Sequence, residues 1–364
     1  MGRLYSLQML RGVAALLVVF VHLEDVELKR GGQLILGEWA DSGAAGVDIF
    51  FALSGFVMFL VTHEIRGGVG NVFQFVWKRA ARIYPLWWAC MAVITILWLL
   101  RPDLVYANSS NNVNLLKDFF LIYDGRSPLL EVGWTLIHEL YFYMIVAFLL
   151  LLWNRIWFRV LVISIWTFSA IILNFIFGIE EEGFLHIVTH PMTLEFSLGF
   201  VAAWLFVSNV RINFVVLLVI GSLLFFAALC MSALQLEGAS IIGDSSKLTD
   251  WQRSLFFGPS SACVILALAG LERSSQFTTS FIFSKLGDWS FALYLTHMFT
   301  LNACGLVWDK FNFTGVLDNA FFILLSVLLS VLVSAVVFEF YEKRIYKYLS
   351  FIGMKVAHVW YKKV

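Results

Sequence analysis

Apolar residues run along this chain in long uninterrupted blocks, and the blocks predict helices at 4–23, 43–62, 84–100, 132–153, 157–178, 190–208, 212–235, 252–271, 281–307 and 318–340. Each is near the ~20 residues that cross a ~30 Å hydrocarbon core. The expected fold is therefore all-α, a polytopic integral membrane helical bundle of about ten transmembrane helices with no soluble domain. The first block, Leu4 to Leu23, follows Arg3 as a signal peptide would. It is long, lacks a small-x-small cleavage site and contains Arg11 and His22, so it is read as a retained span. Loops stay within about 30 residues, and residues 1–364 are expected to form a single membrane domain.

Composition agrees and narrows the classes. Of 364 residues 60% are hydrophobic and only 14% charged, which excludes a soluble enzyme, a disordered chain and a nucleic-acid binder. Lys plus Arg (25) equals Asp plus Glu (25), so net charge points to no polyanionic partner and only the placement of charge informs. With odd spans running outward and even spans inward, sixteen of the 25 Lys and Arg fall on the cytoplasmic side, eight on the other, and Arg11 lies in the bilayer. Both termini are then expected in the cytoplasm, and Glu180-Glu181-Glu182 outside. The four cysteines, Cys90, Cys230, Cys263 and Cys304, fall within spans as small apolar residues. No histidine or cysteine cluster has ligand spacing, so no metal is expected.

Ionisable groups inside a span cost about 2.5–3.5 kcal/mol each on insertion scales, so each needs a partner, a watery cavity or a function. Here they include Arg11, His22, Asp48, His138, Glu139, Glu195, Asp288, His297 and Glu339. Arg11 and His22 are three helical turns apart, about 16.5 Å along one face, so they can mark two depths of one path. Alternatively, His22 is interfacial and Arg11 snorkels or pairs with an acid. Arg79 and Arg82 are i,i+3 neighbours that can hold phosphates bidentately; the alternative is an interfacial amphipathic helix whose basic face touches anionic lipid. Trp134 shares a face with His138, and Glu139 with Tyr143, a combination that suits sugar contact as well as packing. His297 is either a second proton-handling group or a histidine satisfied by a backbone carbonyl. Buried charges of this kind also line permeation paths, so a glycan or solute transporter is the rival reading, and a scaffold in an export complex a third.

Five segments, in order, resemble the membrane-bound acyltransferase family 3, in particular its exopolysaccharide and O-antigen O-acetyltransferases. They are Leu7-Gln8-Met9-Leu10-Arg11-Gly12 with His22, Gly46-Val47-Asp48-Ile49-Phe50-Phe51-Ala52-Leu53-Ser54-Gly55-Phe56, Arg79-Ala80-Ala81-Arg82 with Pro85, Gly133-Trp134-Thr135-Leu136 leading to Glu139, and Ser290-Phe291-Ala292-Leu293-Tyr294-Leu295-Thr296-His297. The resemblance covers nearly the whole chain. It implies an enzyme of the bacterial inner membrane that moves an acetyl group from acetyl-coenzyme A to a hydroxyl of a lipid-linked or exported glycan. A neutral imidazole can take the proton of an attacking hydroxyl, and arginines can hold coenzyme A phosphates. On this reading His22 is the general base or transient acyl carrier, Arg11 its electrostatic partner, and Arg79 and Arg82 the donor-phosphate ligands. Glu139 and Asp48 are expected to orient His22 or the acceptor, with Trp134, Tyr143 and His297 on the substrate side. Many family members carry an added extracytoplasmic hydrolase-like domain. None is seen up to Val364, so acceptor modification is expected at the membrane domain or on a separate protein. Oligomeric state is left open.

Overall fold

The computed structural model describes residues 2–30, 35–105, 113–152, 155–177, 183–233, 250–311 and 315–361, and among them every regular element is a helix. In chain order these are α1 (Tyr5–Arg30), α2 (Glu38–Asp41), α3 (Ala45–Thr62), α4 (Val69–Leu100), α5 (Leu115–Phe120), α6 (Gly133–Leu152), α7 (Ile156–Phe177), α8 (Phe184–Thr189), α9 (Met192–Val207), α10 (Phe214–Ala233), α11 (Asp250–Arg273), α12 (Phe281–Trp308), α13 (Val316–Val337) and α14 (Lys343–Tyr361). Among the described residues nine helices are long and apolar enough to cross a membrane, and α9 is a shorter apolar helix. The Glu180-Glu181-Glu182 run, Lys247, Lys362 and Lys363 lie outside the described residues.

Three elements depart from the hydropathy blocks. The block at 84–100 becomes the C-terminal half of α4, whose 32 residues rise about 48 Å, so a third of it extends past a ~30 Å core. The half of α4 before Tyr84 carries Arg79 and Arg82. The block at 190–208 becomes α9, 16 residues or about 24 Å, because Pro191 holds His190 in an extended conformation (φ −61°, ψ 137°) and parts α8 from α9. The last block does not stop at 340: α13 passes through a π-helical turn, Phe338–Glu342, into α14.

The helices form two compact units. The first, Met1–Phe59 with Leu194–Val336, is organised around α1 lying against α12. Gly12 and Gly287 permit the approach: a Cβ on Gly12 would sit 3.0 Å from the Gly287 nitrogen, and one on Gly287 would strike the Gln8 carbonyl. Both ends of α1 are tied. The Tyr5 and Ser6 N–H groups donate to the Glu272 carboxylate at 2.7 Å each, which satisfies donors that a helix start leaves open. At the far end Glu27 accepts from the Ile35 and Leu36 N–H groups and from the Asn319 amide. Between these ends Ala15, Val19 and Leu23 bury against Leu293, Leu301 and Phe322. In the same unit Gly55 of α3 and Gly199 of α9 meet the backbones of Phe196 and Ala52.

The second unit, Leu60–Thr193 with Val337–Val364, is built on α4. The fully buried Trp87 packs its ring over Gly133 of α6 and donates from Nε1 to the Asp118 carbonyl. The Asp118 carboxylate is held by Arg126 at 2.9 Å. Arg159, 2% exposed, donates to the Thr62 and Ile65 carbonyls at 2.9 and 3.0 Å, a cation closing the C-terminal end of α3 where the helix dipole favours it.

Gly287→Leu should lower both the yield of monodisperse protein in detergent and its unfolding temperature, since overpacking a close helix contact costs about 1–3 kcal/mol or more. Gly2→Leu, which meets nothing within 4 Å, should change neither.

Candidate active site

In the first unit the α1–α12 contact sets two imidazoles side by side. The rings of His22 and His297 lie 5.2 Å apart, tilted by 38°. His297 is fully buried, and its Nδ1 is 3.0 Å from the Leu293 carbonyl. A neutral ring in that position carries its proton on Nδ1 and leaves Nε2 as an acceptor. The ring is thus satisfied by a backbone carbonyl and is also the neighbour of His22. Tyr294 adds its ring at 6.0 Å from His297, and Phe50 of α3 packs edge-on against Tyr294. The His22 side chain keeps 21% of its surface exposed, and its Nδ1 lies 3.7 Å from the Asp25 carboxylate. Arg11 sits three turns earlier on α1, half-buried.

Asp48 is engaged by a different partner. Its carboxylate is fully buried and bonded to Arg253 of α11 at 2.8 Å, and Arg253 also donates to the Ala44 carbonyl. Beside it the buried Glu195 accepts a hydrogen bond from Ser254 at 2.6 Å, with Gly258 leaving room for the Glu195 side chain. The carboxylate beside His22 is instead Asp25, one turn further along the same helix. Two of the other intramembrane charges also find partners, Asp288 with Arg3 and Glu339 with Lys343 at 2.6 Å.

The second unit holds the remaining candidates. Arg79 places its guanidinium over the rings of Phe75 and Tyr143, 5.7 and 5.6 Å from their centroids. The Tyr143 hydroxyl donates to Glu139, one turn back on α6. Thus Arg79, Tyr143 and Glu139 form a continuous row, and the cation is steadied by π faces. Arg82, three residues on, is ion-paired at 2.5 Å with Glu342, whose side chain is 3% exposed. Trp134 meets His138 edge-on at 6.0 Å, and His138 in turn lies 4.5 Å from His190 and that ring 5.1 Å from His186. Among the described residues no group of three or more His, Cys, Asp and Glu is arranged to hold a metal ion.

Sequence reasoning missed Asp25, Arg253 and Glu342. Asp25 stood at i+3 from His22, the spacing that marks a helical neighbour, and that signal was available. Arg253 and Glu342 reach their partners across long sequence separations, so no local spacing announces them.

The chain is thus a multispan helical membrane protein that sets a partly exposed His22 beside a buried His297. The acyltransferase domain of the Acyl_transf_3 family matches residues 4–339, and the chain belongs to this family. It is 30% identical over 269 residues to the exopolysaccharide production protein ExoZ of Rhizobium meliloti (strain 1021), covering 71% of this chain and 77% of that one. It is also 29% identical over 157 residues to protein 2 in the picA locus of Rhizobium radiobacter, covering 38% of this chain and 78% of that one. No solved structure matches.

Arg253→Met should destabilise the protein by about 3–5 kcal/mol, because it strands the Asp48 carboxylate in a buried site. The double variant Arg253→Met/Asp48→Asn should recover a large part of that loss, read as thermal unfolding in detergent.

Proposed function

We propose that this protein is an O-acetyltransferase that moves an acetyl group from cytoplasmic acetyl-coenzyme A to a sugar hydroxyl of a lipid-linked or exported surface polysaccharide. The observation that carries the reading is the His22 imidazole, partly exposed on a span otherwise tied down at both ends and backed by the buried His297. Family membership and a relative named for exopolysaccharide production support the same direction.

The chemistry is a transfer between oxygen and sulfur. The acceptor hydroxyl oxygen attacks the thioester carbonyl carbon, the carbon–sulfur bond breaks, and the hydroxyl proton passes to His22 and from there to the departing thiolate. Asp25 stands 3.7 Å from the His22 Nδ1, and the His297 ring packs beside it. Arg11 supplies positive charge on the same helix. Donor phosphates fall first to Arg79: its guanidinium is held by two rings and, among the described residues, meets no carboxylate. Arg82 is already neutralised by Glu342 and would have to exchange that partner for phosphate. Trp134, Tyr143 and Glu139 are assigned to the acceptor side, where aromatic faces and a hydrogen-bonding carboxylate suit a sugar.

His22→Ala should abolish acetylation of surface polysaccharide at normal protein level, a loss of about 10²–10⁴-fold or more in rate. Mass spectrometry of the glycan reads the missing acetyl increments, and full acetylation in this variant would end the catalytic assignment. Arg79→Ala should weaken acetyl-coenzyme A binding more than Arg82→Ala does, as titration of the purified protein will measure. Purified protein should consume acetyl-coenzyme A in detergent when acceptor is present. A chain that left the donor intact there would instead be the glycan transporter.

A further inference from the structure

The helix that follows the last span lies beyond the family match, which ends at residue 339, and it has a character of its own. The 22 residues of α13 already rise about 33 Å, enough for one crossing, so α14 begins where the hydrocarbon ends. From Lys343 to Val364 the sequence holds six Lys and Arg and no Asp or Glu, and four of the six, Lys343, Arg344, Lys347 and Lys355, lie on described α14.

One face of α14 is occupied. Glu342, at its threshold, pairs with Arg82, and Tyr341 donates to the Pro85 carbonyl at 3.0 Å. The Trp77 indole N–H donates to the Leu349 carbonyl at 2.7 Å, and Gly353 lies under the Trp77 ring, where any Cβ would collide. Positions 342, 349 and 353 fall on one helical stripe, so α14 is fixed along the N-terminal half of α4.

The opposite face is open and mixed. Arg344, Lys347 and Lys355 are exposed there beside Tyr348, Phe351 and Met354, with Tyr348 at 66% and Phe351 at 51%. Cation and ring are paired one turn apart: Arg344 stands 5.3 Å over Phe340, and Lys355 4.5 Å over Phe351. A span would not carry these cations, and a helix in bulk water would gain nothing from the rings. The combination fits the boundary layer, rings among the upper acyl carbons and cations at the phosphates.

We propose that α14 lies in the membrane–water interface and binds anionic phospholipid headgroups through Arg344, Lys347 and Lys355. Charge complementarity selects the occupant: a helix with an entirely basic complement favours phosphatidylglycerol over zwitterionic lipid by about fivefold per cation near the surface. Because the other face is clamped to α4, the lipid contact also holds the helix that bears Arg79 and Arg82.

The test uses full-length protein in nanodiscs of phosphatidylcholine alone or with phosphatidylglycerol. Amide hydrogen exchange across residues 343–356 should slow when phosphatidylglycerol is present, and native mass spectrometry should find it retained in preference to phosphatidylcholine. In Arg344→Gln/Lys347→Gln/Lys355→Gln that preference should vanish and exchange should return to the phosphatidylcholine rate. Equal retention of both lipids by the wild type, a measurement that needs no variant, overturns the proposal, as does a triple variant that keeps the preference.

Discussion

The approach of α1 to α12 is the constraint on which the first unit depends. Two helices in a membrane gain nothing by hiding apolar side chains from one another, since lipid is equally apolar, and they associate where backbones can come close. Gly12 and Gly287 provide that closeness, and the Glu272 and Glu27 carboxylates fix the helix at both ends. His22 and His297 are brought together as a result: they are ordinary positions on two helices until the separation shrinks enough for their rings to touch.

Charge neutralisation follows the same economy in each unit. Asp48 with Arg253, Arg82 with Glu342 and Asp118 with Arg126 are carboxylates taken out of solvent together with a guanidinium whose planar fork matches them. Such pairs contribute little net stability against an apolar replacement, but breaking one by removing a single partner is costly. Arg79 differs in kind, a cation held by the rings of Phe75 and Tyr143.

Hydropathy made the helices legible because each span must satisfy its own backbone and cover its own length, two demands met locally. Nine of the ten predicted blocks are helices long enough to cross, and the tenth is cut short by a proline whose effect lies in the preceding residue. The extension of α4 below Tyr84 and the whole of α14 escaped that reading, since their residues are too polar to score as spans and are helical because they pack on each other. Within the site, i,i+3 and i,i+4 relations were readable: Trp134 with His138 and Glu139 with Tyr143 are in contact. Asp48 was expected to orient His22 or the acceptor from residue type and depth alone, and the arginine on α11 that bonds it lies more than two hundred residues away.

The π-helical turn between α13 and α14 contains more chain per hydrogen-bonded loop than the helices it joins. It therefore takes up about one extra residue with little added rotation, so Glu342, inside the turn, and Gly353, beyond it, still face Arg82 and Trp77 of α4.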